Sequence, residues 1–188
     1  MGGSDAVVER LFIAVPLTEE ARGKIAAGLP QLPGRLVPPK NWHFTLRFLG
    51  DTDARSRDAL ISSLHATRLG NRFSIRFDGL GAFPRVKRAR IIWIGVTDGA
   101  QQLISLAESV ESIVRGSGFV PEKRPFKPHL TLSRVEPPRA VSDILSSQPP
   151  LAVTMPVSEA VLVRSSLGAG PARYETLERF SLGIVNER

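Results

Sequence analysis

The chain has 188 residues, 42% of them hydrophobic, no cysteine, and a net charge of +7 from 25 Lys and Arg against 18 Asp and Glu. That length suits one domain or two small lobes around a shared core, and the missing cysteines exclude a disulfide framework, a thiolate metal site and a cysteine nucleophile. No apolar run is long enough to span a bilayer, and the positive balance favours anionic partners, nucleic acid or phosphate esters.

The opening Met1-Gly-Gly-Ser-Asp has an acid where a secretion signal needs a basic region, and Ala6 stands where a myristoylation signal needs Ser or Thr. The expectation is a cytoplasmic protein without membrane contact. In chain order, Arg10–Val15 reads as a strand, and Pro16-Leu17-Thr18 leads into a short helix reaching Leu29, with Glu20 in its first turn. Pro33–Pro39 is a predicted loop, Asn41–Gly50 a strand, and Asp53–Leu69 a second helix with Leu60, Ile61 and Leu64 on one face. Strands over Phe73–Phe83 and Ala89–Val96 are divided by a basic loop, with Arg85, Lys87, Arg88 and Arg90 clustered there and at the start of the second strand. Asp98 is placed to cap a long helix in which Leu103, Leu106, Val110, Ile113 and Val114 recur at helical spacing, and Gly116 and Gly118 suit its end. A loop over Pro121–Pro128, a strand from His129, a helical stretch near Val141–Ser147, and strands over Val153–Val163 and Tyr174–Ile184 complete the chain. The order strand–helix–strand–helix–strand occurs twice, which predicts two lobes related by a pseudo-twofold within a single bilobal domain over residues 1–188.

Two near-identical strings stand in matching frames, His43-Phe44-Thr45-Leu46 and, 86 positions later, His129-Leu130-Thr131-Leu132. Period-two alternation puts Trp42, Phe44, Leu46 and Phe48 on one face of the first strand and His43, Thr45 and Arg47 on the other. In the second, Leu130 and Leu132 point inward while His129, Thr131 and Ser133 point outward. Each lobe therefore offers an imidazole and a hydroxyl to a cleft. Breaking a phosphodiester needs a base for the attacking oxygen and an acid for the leaving one, and two imidazoles can share these tasks near neutral pH. The threonines can donate to the non-bridging oxygens. Lys123, Arg124, Lys127 and Arg134 bracket the second histidine and supply compensating charge. The third histidine, His65, lies on a helix with no partner motif and reads as a surface or structural residue. A zinc site lacks a third nitrogen or sulfur ligand, and neither a Gly-x-Ser-x-Gly elbow nor a phosphate-binding Gly-x-x-x-x-Gly-Lys loop is present.

With these strings, Arg10-Leu-Phe-Ile-Ala-Val, Phe83-Pro84, Phe126–Arg134 and Tyr174–Leu182, the chain resembles the two-histidine (2H) phosphoesterases. More narrowly, it is similar to the RNA 2′,3′-cyclic phosphodiesterases, also named 2′-5′ RNA ligases. The resemblance implies an α+β fold with two pseudo-twofold-related antiparallel sheets, flanking helices and a central cleft. It implies hydrolysis of a terminal 2′,3′-cyclic phosphate to a 2′-phosphate with no metal or other cofactor, on RNA ends that include tRNA fragments, by a monomer. Reversible 2′-5′ ligation is a further implied activity. Carried over, His43 is the proton donor, His129 the proton acceptor, Thr45, Thr131 and Arg134 bind the phosphate, and Phe48 stacks on the base. Ideal strands would turn Phe48 and Arg134 towards the core, so both roles require a bulge or twist at the strand ends. Arg47 could add a phosphate contact. The competing readings are an esterase for small cyclic nucleotides and a non-catalytic RNA-binding module. The Arg85–Arg90 cluster favours a polymer, and intact paired histidines favour catalysis.

Overall fold

The computed structural model describes residues 8–149, 151–168 and 171–183. Its strands are β1 (Val8–Pro16), β2 (Arg35–Leu36), β3 (His43–Asp53), β4 (Phe73–Phe83), β5 (Ala89–Val96), β6 (Leu130–Arg139), β7 (Thr154–Val157), β8 (Glu159–Ser166) and β9 (Arg173–Ser181). The helices are α1 (Glu19–Gly28), α2 (Ala54–Ala66), α3 (Ala100–Gly116) and α4 (Ser142–Ser146). Local chemistry sets several boundaries. Thr18 caps α1 by accepting the Ala21 amide at 3.2 Å, and the Asp53 carboxylate caps α2 by accepting the Ser56 amide at 2.9 Å.

The strands form two antiparallel sheets, one ordered β3-β1-β8-β9 and the other β2-β6-β5-β4-β7. The two sheets are not the two halves of the sequence. β4 follows α2 in the first half yet pairs with β5, and β8 follows α4 in the second half yet pairs with β1. Each sheet is thus assembled from both halves. Alternate residues Leu11, Ile13 and Val15 of β1 enter the main core with Phe44 of β3, Ile92 of β5 and Leu130 of β6. Phe44 stacks on Phe77 of β4 at 5.7 Å, joining one sheet to the other; such a ring pair contributes about 0.5–1.5 kcal/mol beyond its area burial. On the opposite face of the first sheet, Phe12, Ala14, Val161 and Val163 form a smaller buried cluster that floors the cleft.

Three expectations are corrected. Pro33–Pro39 is more than a loop, because it contains β2 and begins a 3-10 turn at Pro39. Val153–Val163 is two strands in different sheets, divided at Ser158. Residues 154–157 alternate exposed and buried and carry Pro156, which lacks a donor and suits an edge, whereas residues 160–163 are buried throughout. Asp98 does not cap α3. Gly99, at φ 78°, takes that position, and the Asp98 carbonyl instead accepts the Arg76 amide at 3.0 Å. Ile184, the last residue of the predicted final strand, lies outside the described residues.

Candidate active site

The two histidine strands share one irregularity, and it decides which side chains reach the cleft. In β3, Thr45 stands opposite Ala14 and Arg47 opposite Ile13, so Leu46 is an extra residue; Phe48 then stands opposite Phe12, and a second shift follows at Leu49. In β6, Thr131 stands opposite Trp93, Ser133 opposite Ile92 and Arg134 opposite Ile91, so Leu132 is extra. Residues directly opposite one another in a ladder share a face. Each bulge therefore reverses the alternation one residue after the threonine. Phe48 joins Phe12 on the cleft face, where it is 58% exposed, and Arg134 comes out to solvent.

The same bulges overturn two placements. Ser133 is fully buried and donates its hydroxyl to the Pro33 carbonyl. Arg47 turns away from the cleft. Its guanidinium pairs with Glu111 of α3 at 2.6 Å and donates to the Phe48 carbonyl at 2.5 Å and to the Val120 carbonyl, which leaves it no part in phosphate binding. These two anchors are reciprocal. Arg47 on β3 holds the loop that leads to His129, and Ser133 on β6 holds the loop that leads to His43.

The imidazoles are mounted alike. His43 Nδ1 is 2.8 Å from the Asn41 carbonyl and His129 Nδ1 is 2.7 Å from the Lys127 carbonyl, in each case two residues upstream. A carbonyl only accepts, so each Nδ1 carries the proton and each Nε2 is left for chemistry. The Thr45 hydroxyl lies 3.0 Å from His43 Nε2 and donates to it in the neutral ring. Aromatic rings wall both sites. Phe12 stacks on His43 at 4.7 Å with Tyr174 edge-on at 5.3 Å, while Phe83 and Trp93 face His129 at 5.1 and 6.4 Å. Burial among these rings pushes the His43 pKa down to about 4, opposed by the Asn41 carbonyl and reinforced by the charge of His129.

From the sequence alone Phe12, Tyr174, Phe83 and Trp93 have no role, although Phe12, Phe83 and Tyr174 lie in strings that carry the resemblance; the available signal was an aromatic in each of the strands around the histidines. His65 is peripheral, exposed beside Glu178 at 3.6 Å. Arg85, Lys87 and Arg88 are exposed on the turn between β4 and β5, just beyond Phe83. Among the described residues no group of three or more metal-ligating side chains is gathered, and no helix is long and apolar enough to cross a membrane.

A family model described as LigT like Phosphoesterase matches residues 15–93 and, a second time, residues 94–172. The chain belongs to the LigT-like phosphoesterases. The double match agrees with the doubled strand order and the paired bulges. Within this family, the RNA 2′,3′-cyclic phosphodiesterase of Escherichia coli (strain K12) is 35% identical over 180 residues, which cover 93% of this chain and 97% of that protein. The RNA 2′,3′-cyclic phosphodiesterase of Aquifex aeolicus (strain VF5) is 33% identical over 155 residues, 80% of this chain and 82% of that one. Solved LigT-like structures agree. E. coli LigT complexed with 3′-AMP aligns with a TM-score of 0.74 at 32% identity, over 93% of this chain and 98% of that one. A protein of Thermus thermophilus aligns with a TM-score of 0.78 at 31% identity, over 94% and 100%. The expected α+β bilobal 2H phosphoesterase fold is therefore the fold of this chain.

Proposed function

We propose that this protein hydrolyses the 2′,3′-cyclic phosphate at RNA ends to a 2′-phosphate, using His43 and His129 as an acid–base pair. The observation that carries the reading is the matched mounting of the two imidazoles, each with Nδ1 held by the carbonyl two residues upstream and with a threonine beside it on the cleft face. His129 Nε2 takes a proton from water as the water oxygen bonds to phosphorus. The bond from phosphorus to the 3′ oxygen breaks, and His43 Nε2 gives its proton to that oxygen. Thr45, Thr131 and Arg134 hold the non-bridging oxygens, and Phe48 offers its exposed ring to the terminal base. A 5′-hydroxyl in place of water gives a 2′-5′ linkage by the same steps.

His43 starts neutral, because its pKa of about 4 lies well below neutral pH. The anionic phosphate supplies the negative charge that favours protonation, so substrate binding recruits the acid. Once Nε2 is protonated, the Thr45 hydroxyl no longer has an acceptor there and is free to donate to the phosphate. The proposal takes the chain to act as one bilobal domain, a cytoplasmic monomer that needs no metal.

The test is hydrolysis, in EDTA, of an oligoribonucleotide ending in 2′,3′-cyclic phosphate, beside His43→Ala and His129→Ala. The expected outcome is a 2′-phosphate end from the wild type and a loss of roughly 10²–10⁴-fold in each variant. Binding without cleavage by the wild type would sink the enzyme reading in favour of an RNA-binding module. Turnover confined to mononucleoside cyclic phosphates would replace RNA with a small substrate.

A further inference from the structure

The edge of the second sheet holds a charge arrangement that packing does not account for. β2 is two residues long, and its Arg35 stands directly opposite Arg134 in the ladder. Residues so paired share a face, and like charges there destabilise the sheet. Both arginines are exposed, and neither has an ion-pair partner among the described residues. The backbone nevertheless holds them together. The Val37 amide donates to the Leu132 carbonyl at 2.8 Å, and the Ser133 hydroxyl binds the Pro33 carbonyl and lies 3.4 Å from that of Arg35. Gly34, at φ 86°, runs so close to β6 that a Cβ there would lie 2.3 Å from the Arg134 carbonyl oxygen. Because the bulge at Leu132 returns Arg134 to the face of Thr131, Arg35 extends that face one strand beyond the phosphate site.

We propose that Arg35, side by side with Arg134, binds an internucleotide phosphate of the RNA strand and so selects a polymer over a mononucleoside cyclic phosphate. This deepens the function proposed above and rests on it. A cyclic mononucleotide has a single phosphate, which the histidines, the threonines and Arg134 engage. A strand has a second, on the 5′ oxygen of the terminal ribose. The fork of Arg35, beside Arg134 on the same face, suits the two free oxygens of such a diester, and the anion offsets the repulsion between the two guanidiniums.

The experiment compares wild type with Arg35→Gln on an oligoribonucleotide ending in 2′,3′-cyclic phosphate and on adenosine 2′,3′-cyclic phosphate. The variant should raise KM for the oligonucleotide roughly tenfold or more, as expected for losing a charge-assisted contact, and leave the mononucleotide within about twofold. The slope of log affinity against log salt should become shallower by about 0.7, one phosphate's share on a single strand. The melting temperature should hold or rise, since a repulsion is removed. Equal losses on both substrates, an unchanged salt slope, or an unchanged oligonucleotide KM would each overturn the proposal. If the wild type cleaves neither substrate, the hydrolase reading fails by itself. Anisotropy with a 3′-phosphorylated oligoribonucleotide then still decides Arg35, through the same salt slope.

Discussion

An imidazole between Phe12 and Tyr174 is costly to protonate, and that cost appears in stability as well as rate. Between pH 6.5 and about 4 the unfolded chain carries a proton on His43 that the folded chain does not. Folding stability therefore rises with pH across this window, is complete above it, and is lost below it, by on the order of 3 kcal/mol. Urea unfolding of wild type and His43→Gln at pH 7.5 and 4.5 checks the sign: acidification should cost the wild type more. An equal cost in both proteins would contradict the burial argument. The kinetics carry the same signature. If His43 is the acid, kcat/KM reports its free form and falls as pH rises from about 4, whereas kcat reports the complex and falls only at higher pH. Superimposed limbs would show that bound phosphate does not recruit the proton.

At the level of single elements, the histidine strands act through their irregularity. Alternation alone was enough to put His43, Thr45, His129 and Thr131 on the cleft face, because the first three residues of each string precede the bulge. It failed beyond the threonine, where Ser133 and Arg47 turn inward. A bulge is set by how many residues the partner strand presents, and a single strand's sequence does not record that count. The charge cluster was equally ambiguous: Arg134 and Arg35 meet only when β2, which reads as loop, adds to the edge of β6. The reciprocal anchors have a measurable consequence. Arg47→Met should free the loop leading to His129 and lower kcat roughly 10- to 100-fold, the scale of a misplacement near 1 Å. The same change in a His129→Ala background should alter the residual rate less than about twofold, since the ring it positions is gone. A matching loss in both backgrounds would show that Arg47 acts on something other than His129.

Across the whole molecule, the exchange of β4 and β8 explains why a doubled strand order does not produce two self-sufficient lobes. Each sheet needs a central strand from the other half, and Phe44 on Phe77 ties them face to face. Urea unfolding followed by tryptophan fluorescence and by far-ultraviolet circular dichroism should give coincident transitions. Separate midpoints would argue for lobes that fold alone. The exchange also bears on what happens when the chain is severed. A peptide ending near Arg88 would keep β1 and β3 but lack β8, leaving one flank of β1 without hydrogen-bond partners. The complementary peptide would keep β5 and β6 but lack β4. Exposed strand flanks recruit further strands, so neither piece should persist as a monomer, yet each carries the strand that the other is missing. Co-expressed, the two should reconstitute a nicked protein with both histidines in place, a split enzyme whose activity reports the meeting of its fragments.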